Sequence, residues 1–293
     1  MADAETYRSL VLKDLKSVDS YRQPISTWLN SASQASQGFG SGQSVLELGS
    51  HLREIFFATR GEGREGKSSQ SQVARAGAGW ECLIVWYLNL IFEGSRAVAV
   101  RKKSSMIAPS ILDAISVNHG NFQTNSESDI IVIAAPKELA GSSWTKNGKP
   151  DPEFFTRNVH KLSVGVVQSK TNWNENSQIP MLWDMVYQAG RSNGQLAVGK
   201  NGYSIIDFRK FTYSFVTVPT QKEGKIPGPN SIHAKRVRHL SGGNYWGRTS
   251  VNDVAMSLKE IFTRNFAEAF DSNIAASVDR SLACGNPFIL DAV

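Results

Sequence analysis

The chain has 293 residues, 41% of them apolar and 20% charged, with a formal net charge of +6. That length can bury a large core, and the proportions are those of an ordinary globular protein. Cys82 and Cys284 are too few for a disulfide framework or a zinc cluster, and the modest positive balance admits an anionic partner without requiring one.

Residues 1–30 read as helical, anchored by Leu10, Leu12, Leu15, Ile25, Trp28 and Leu29. A Ser/Gln/Gly-rich loop follows over 31–43, then a helix over 45–59 with Leu46, Leu48, Leu52, Ile55 and Phe56 at near-helical spacing. Residues 60–79 are polar, basic and Gly-rich, which suits a mobile segment. The N-terminus is acidic and polar, unlike a secretory leader, and no apolar run approaches membrane-spanning length. With Cys82 expected in the core, a cytoplasmic protein is the expectation.

The strongest helical stripe comes next. Trp80, Leu83, Ile84, Tyr87, Leu88 and Ile91 fall at i, i+3, i+4, i+7, i+8 and i+11. Glu81 is the anomaly, because Ile84 and Leu88 are its neighbours along the helix, so its carboxylate sits on the buried flank. Near a helix start it would complement the helix dipole, worth about 0.3–1 kcal/mol.

A short strand is expected over 96–101, a helix over 108–117, a strand over 129–135, and a long polar insertion over 136–160. The strand from Leu162 to Lys170 follows, then a helix over about 177–190 with Pro180 in its first turn. Further strands are expected at 203–207 and 211–218. A last helix is expected over about 251–270, with Ser250 and Asp253 resembling a capping box. Strands interleaved with helices predict an α/β fold in one domain, a central mixed sheet flanked by helices.

The chemistry concentrates in two of these strands. Gln168 and Lys170 stand two apart and project side by side, continuing the row of Val164 and Val166. A lysine closing a buried strand is costly unless something acidic needs it, and Asp129 opens the apolar run Ile130–Ala134. A carboxylate with a neighbouring oxygen ligand suits a hard divalent cation such as Mg²⁺. Such an ion acidifies water and neutralises phosphate charge, and a lysine ammonium can orient the water or stabilise the transition state. That apparatus suits phosphodiester hydrolysis.

Asp129 heading one apolar strand, with Gln168-Ser169-Lys170 ending the next, resembles the bipartite motif of the PD-(D/E)xK nucleases, and more particularly type II restriction endonucleases. The segment Arg75-Ala76-Gly77-Ala78-Gly79-Trp80-Glu81 is similar to the Gly-rich lead-in and helix glutamate of many such enzymes. The resemblance implies a restriction-endonuclease-like core over residues 80–218 within a single domain. Residues 1–60 would form a helical N-terminal region, and 219–293 would hold DNA-contacting loops and C-terminal helices. It also implies Asp129 as principal metal ligand, Lys170 as water-orienting or charge-stabilising group, and Gln168 and Glu81 as further ligands. A homodimer, double-stranded DNA as substrate and a cognate DNA methyltransferase as functional partner follow from the same likeness. Two departures stand out. Ser128 replaces the motif proline, and Gln168 replaces the usual acid, so that position supplies an amide oxygen without negative charge.

Two competing motifs carry less weight. Pro150-Asp151 is a literal PD, but Gly148-Lys149-Pro150-Asp151-Pro152 reads as a turn before a helix. Gly61-Glu62-Gly63-Arg64-Glu65-Gly66-Lys67-Ser68 matches a P-loop letter for letter, yet lacks the flanking strand and helix, and its glutamates would repel phosphates. His51, His119, His160, His233 and His239 show no metal-ligand spacing.

For DNA reading, Asn172, Asn174, Asn176 and Gln178 crowd the exit from the catalytic strand with groups suited to base edges. Lys235, Arg236 and Arg238 form a basic cluster suited to phosphates. It leads into Ser241-Gly242-Gly243-Asn244-Tyr245-Trp246, whose aromatics are expected to pack in the core. The alternatives are a weak or inactive DNA-binding relative, for which Gln168 would mark a lost metal site, and a P-loop NTPase.

Overall fold

A computed structural model describes residues 2–59, 70–119, 122–124, 128–171, 196–218, 230–247 and 257–284. Four helices open it: α1 (Ala2–Lys16), α2 (Asp19–Arg22), α3 (Ile25–Ala35) and α4 (Gly42–Phe57). The expected loop between the last two is shorter than its polar composition suggests. The chain turns through Gln37, Gly38 and Phe39, all with left-handed backbone (φ 53°, 90° and 55°). Ser41 then caps α4, exchanging hydrogen bonds with Ser44.

Helix α5 (Gln70–Ile91) is the longest, and its whole predicted stripe is buried. It begins earlier than the sequence pattern suggests, so 70–79 are helical and not part of a mobile segment. Gln, Ala and Arg are good helix formers. Gly79 is buried, and a Cβ there would meet Ser20 O at 3.7 Å and Trp28 at 3.9 Å, an ordinary contact distance, so the packing at this position does not require glycine.

The remaining elements are β1 (Ala97–Arg101), α6 (Pro109–Ala114), β2 (Val117–His119), β3 (Phe122–Thr124), β4 (Ile130–Ala134), β5 (Thr145–Lys146), β6 (Lys149–Pro150) and α7 (Pro152–Asn158). They continue with β7 (Ser163–Lys170), β8 (Leu196–Val198), β9 (Lys210–Thr217), α8 (Ile232–Leu240), β10 (Tyr245–Trp246), α9 (Leu258–Phe266) and α10 (Ile274–Ala283). Among the described residues the main sheet has five strands in the order β1-β4-β7-β9-β10. β4 runs antiparallel to β1 and β7, whereas β9 runs parallel to β7 and β10, so the sheet is mixed and the α/β class stands.

β7 lies at the centre, buried along its length except at Lys170, which is why its sequence is a near-continuous apolar run. Gly165 is needed there: a Cβ would lie 2.6 Å from Phe266 Cζ and 3.0 Å from Thr212 Oγ1. Edge strand β1 is blunted by side chains. Asn89 of α5 donates to Ala99 O (2.8 Å) and accepts from Ala99 N (3.0 Å). Arg8 of α1 donates to Ala97 O (2.7 Å), and these bonds fill edge positions that another chain could otherwise pair with.

Several expectations are corrected. The insertion over 136–160 is no polar excursion: Trp144, Phe154 and Phe155 pack on one another and against Tyr7 of α1. The turn expected around Pro150-Asp151 is borne out: Asp151 is the N-cap of α7, accepting from Glu153 N, after a tight turn at Asn147 and Gly148. Residues 205–207 form a 3-10 turn where a strand is expected, because Ser204 and Asp207 make a capping box. The last predicted helix starts at Leu258 on the cap Ser257. Helix α10 lies in the stretch where C-terminal helices are expected without bounds; Asn273 caps it and Ile274, Ser277 and Val278 face inward. One buried apolar cluster runs from Ala4 to Val278. Among the described residues no helix is long and apolar enough to cross a membrane.

Candidate active site

The β4–β7 ladder ends in an irregularity at its upstream edge. Ile130 stands opposite Val167, yet Asp129 N–H also donates to Val167 O (3.1 Å). Two residues of one strand thus oppose one of the other, the arrangement of a β-bulge, which re-aims side chains beside functional sites. The Asp129 carboxylate then accepts from Ser169 N at 2.7 Å, taking the place a further backbone carbonyl would have held. Ser169 lies between Gln168 and Lys170, so the predicted acid and the predicted polar-x-lysine segment meet directly.

Glu81 joins them from α5. The helix starts eleven residues earlier, so Glu81 is in its middle, and the dipole explanation fails because that effect is confined to the first turn. Its partner is Arg101, the last residue of β1, whose Nη2 donates to Glu81 Oε2 at 3.1 Å; both side chains are 12% exposed. Burial raises the Glu81 carboxyl above the ordinary carboxylate range, the charge of Asp129 raises it further, and Arg101 and Lys103 pull it back. Lys102 donates its N–H to Asp129 O (2.9 Å), and burial lowers its ammonium against the supporting charge of Asp129.

Gln168 is fully buried, and its Oε1 accepts from Tyr213 OH on the neighbouring strand. One of the amide oxygen's two lone pairs is thereby taken. Lys170 is half-buried at the end of β7, and its ammonium forms no ion pair with Asp129 or Glu81 within 4.0 Å. The carboxylate neighbours that the sequence offers Lys170 are therefore near in topology but not paired with it. Sequence reasoning missed Arg101, although it closes a recognised strand, because nothing in the local pattern links residues twenty apart.

Among the described residues no three or more His, Cys, Asp or Glu side chains gather into a metal-binding group. The acids available are Glu81 and Asp129, close enough that the charge of one disfavours ionisation of the other. Two carboxylates presenting hard oxygen donors fit Mg²⁺, which needs only one or two carboxylates and keeps several waters.

Away from this centre, the basic cluster proves to lie on a helix, where the sequence suggests only an irregular basic region. α8 is capped by Ser231 and turns Ala234, Val237 and Leu240 inward, leaving Lys235 and Arg238 exposed and Arg236 half-buried. After it, Asn244 is held by Arg264 (2.6 Å) and Asn265 (2.9 Å). Tyr245 and Trp246 are buried as expected, and Trp246 stacks on Trp80 with ring centroids 5.8 Å apart, one residue from Glu81. Asn172, Asn174, Asn176 and Gln178, the helix expected over 177–190 and the P-loop-like segment 61–68 lie outside the described residues.

Comparison with known proteins yields no matching family model and no matching curated protein.

Proposed function

We propose that the chain is a Mg²⁺-dependent, sequence-specific endonuclease that hydrolyses phosphodiester bonds of double-stranded DNA, of the type II restriction kind and with a restriction-endonuclease-like core. The observation that carries this reading is the meeting of Asp129 with the Gln168-Ser169-Lys170 segment through the Ser169 N–H, with Glu81 brought beside them by α5. In this reading Asp129 and Glu81 hold the ion, and the amide oxygen of Gln168 is the further oxygen ligand. Bound Mg²⁺ would supply Lewis-acid stabilisation of the phosphate and a more acidic water. The half-buried ammonium of Lys170, which pairs with no carboxylate among the described residues, would serve a phosphate oxygen or the attacking water. Lys235, Arg236 and Arg238 on α8 would meet the DNA backbone. A homodimer suits palindromic DNA, and a methyltransferase would protect the host's own sites.

Digestion of a plasmid of known sequence with Mg²⁺ should give discrete fragments, and Asp129→Ala and Lys170→Ala should abolish them. Uncut DNA across varied plasmids, or full cutting by either variant, sinks the proposal. The second reading is a DNA-binding relative without cleavage, favoured by the Tyr213 bond that already occupies Gln168 Oε1. Tight binding with no Mg²⁺-dependent cutting would select it.

A further inference from the structure

We infer that Arg101 is a built-in counter-cation of the acid pair: it holds Glu81 until a divalent cation takes its place, and so sets the cation concentration at which the site loads. This rests on the reading of Glu81 and Asp129 as the metal-holding acids. Three arginines are tied at or near the edge strand β1, and their ties differ. Arg8 is bound to the carbonyls of Ser95 and Ala97 as well as to Glu5. Arg96 reaches both Asp271 (2.8 Å) and the carbonyl of Glu268 (3.0 Å). Backbone carbonyls cannot be drawn away by a ligand, so these two are structural ties. The Arg101 guanidinium has only the Glu81 carboxylate among the described residues, and its buried Nε has no hydrogen-bond partner there.

The contact is therefore exchangeable by its chemistry. A carboxylate that binds a divalent ion must share or surrender its oxygens, and a guanidinium beside that ion is repelled by it. The released fork has five donors in a plane, the geometry that a phosphate accepts in two parallel bonds. Arg101 would then oppose metal binding in the free protein and lose that opposition when a DNA phosphate draws it off.

The test is thermal unfolding of the full chain without DNA, titrated separately with Mg²⁺ and with Ca²⁺. Arg101→Gln should lower the cation concentration for half-maximal stabilisation by about tenfold, the effect of removing one nearby unit charge. Arg101→Lys, which keeps the charge, should stay close to wild type, and adding Glu81→Gln to Arg101→Gln should remove the gain. A folded Arg101→Gln variant with an unchanged midpoint overturns the inference and leaves the metal site standing. No cation response in wild type or in any folded variant overturns both. Arg101→Met is the second charge-removing variant; if neither it nor Arg101→Gln folds, Arg101 is a structural tie and the inference is wrong.

Discussion

At the scale of single residues, Glu81 concentrates the tension of the site. Its carboxyl is raised by burial and then by the charge of Asp129, and Arg101 offsets only part of this. A raised carboxyl binds a proton more tightly in the folded than in the unfolded chain. Its contribution to stability is therefore complete below the ordinary carboxylate range and is lost as pH rises through the raised value. Glu81→Gln lacks this dependence. In metal-free buffer the stability of the variant relative to wild type should rise with pH across that window, as read by thermal unfolding. A flat difference would mean that Glu81 ionises as a solvated acid does. The buried flank of Glu81 is legible in its helical neighbours Ile84 and Leu88, and its anomalous chemistry follows from that. Its partner is not legible, because Arg101 reaches it only when β1 is laid along α5.

The elements differ in how openly their residues announce them. The stripe from Trp80 to Ile91 is visible because α5 buries one continuous face, and all six of its members are fully enclosed. The first turns of the same helix are not visible, because Gln70 to Gly79 carries no stripe: Ser71, Gln72, Ala74 and Arg75 are exposed, and Gly79 is buried. Asn89 looks like a polar blemish near the helix end, but it serves as the backbone partner that β1 lacks at the sheet edge. Asn89→Ala should leave the N–H and C=O of Ala99 unpaired inside the protein, at about 1–3 kcal/mol for each group. Urea unfolding should report a loss of about 2–6 kcal/mol from the pair. A loss under about 1 kcal/mol would show that water reaches this edge and replaces the amide. Helix α8 was hidden for the opposite reason: its charges dominate the composition, and only Ala234, Val237 and Leu240 mark its inner face.

Across the whole molecule, the mixed sheet brings the acid of β4, the lysine segment of β7 and the helix glutamate to one end, while α8 follows β9 and precedes β10. If α8 lies along DNA, exposed Lys235 and Arg238 each release about one counterion from the backbone. Lys235→Ala with Arg238→Ala should weaken binding at low salt and flatten the slope of log affinity against log salt by about 2. An unchanged slope would place the DNA on another face.

The sequence by itself determined the strands, expected over 129–135 and 162–170 and found at 130–134 and 163–170, the helix that carries Glu81 and the α/β class. Each of these buries a periodic or continuous apolar face that local residues must spell out. Only the tertiary structure decided that Asp129 turns at a bulge onto the Ser169 N–H, that Tyr213 holds the Gln168 oxygen, and that Arg101 and not Lys170 neutralises Glu81. Those contacts join residues that are twenty to forty-five positions apart. Their geometry comes from strand register and helix docking, which no local run of residues encodes.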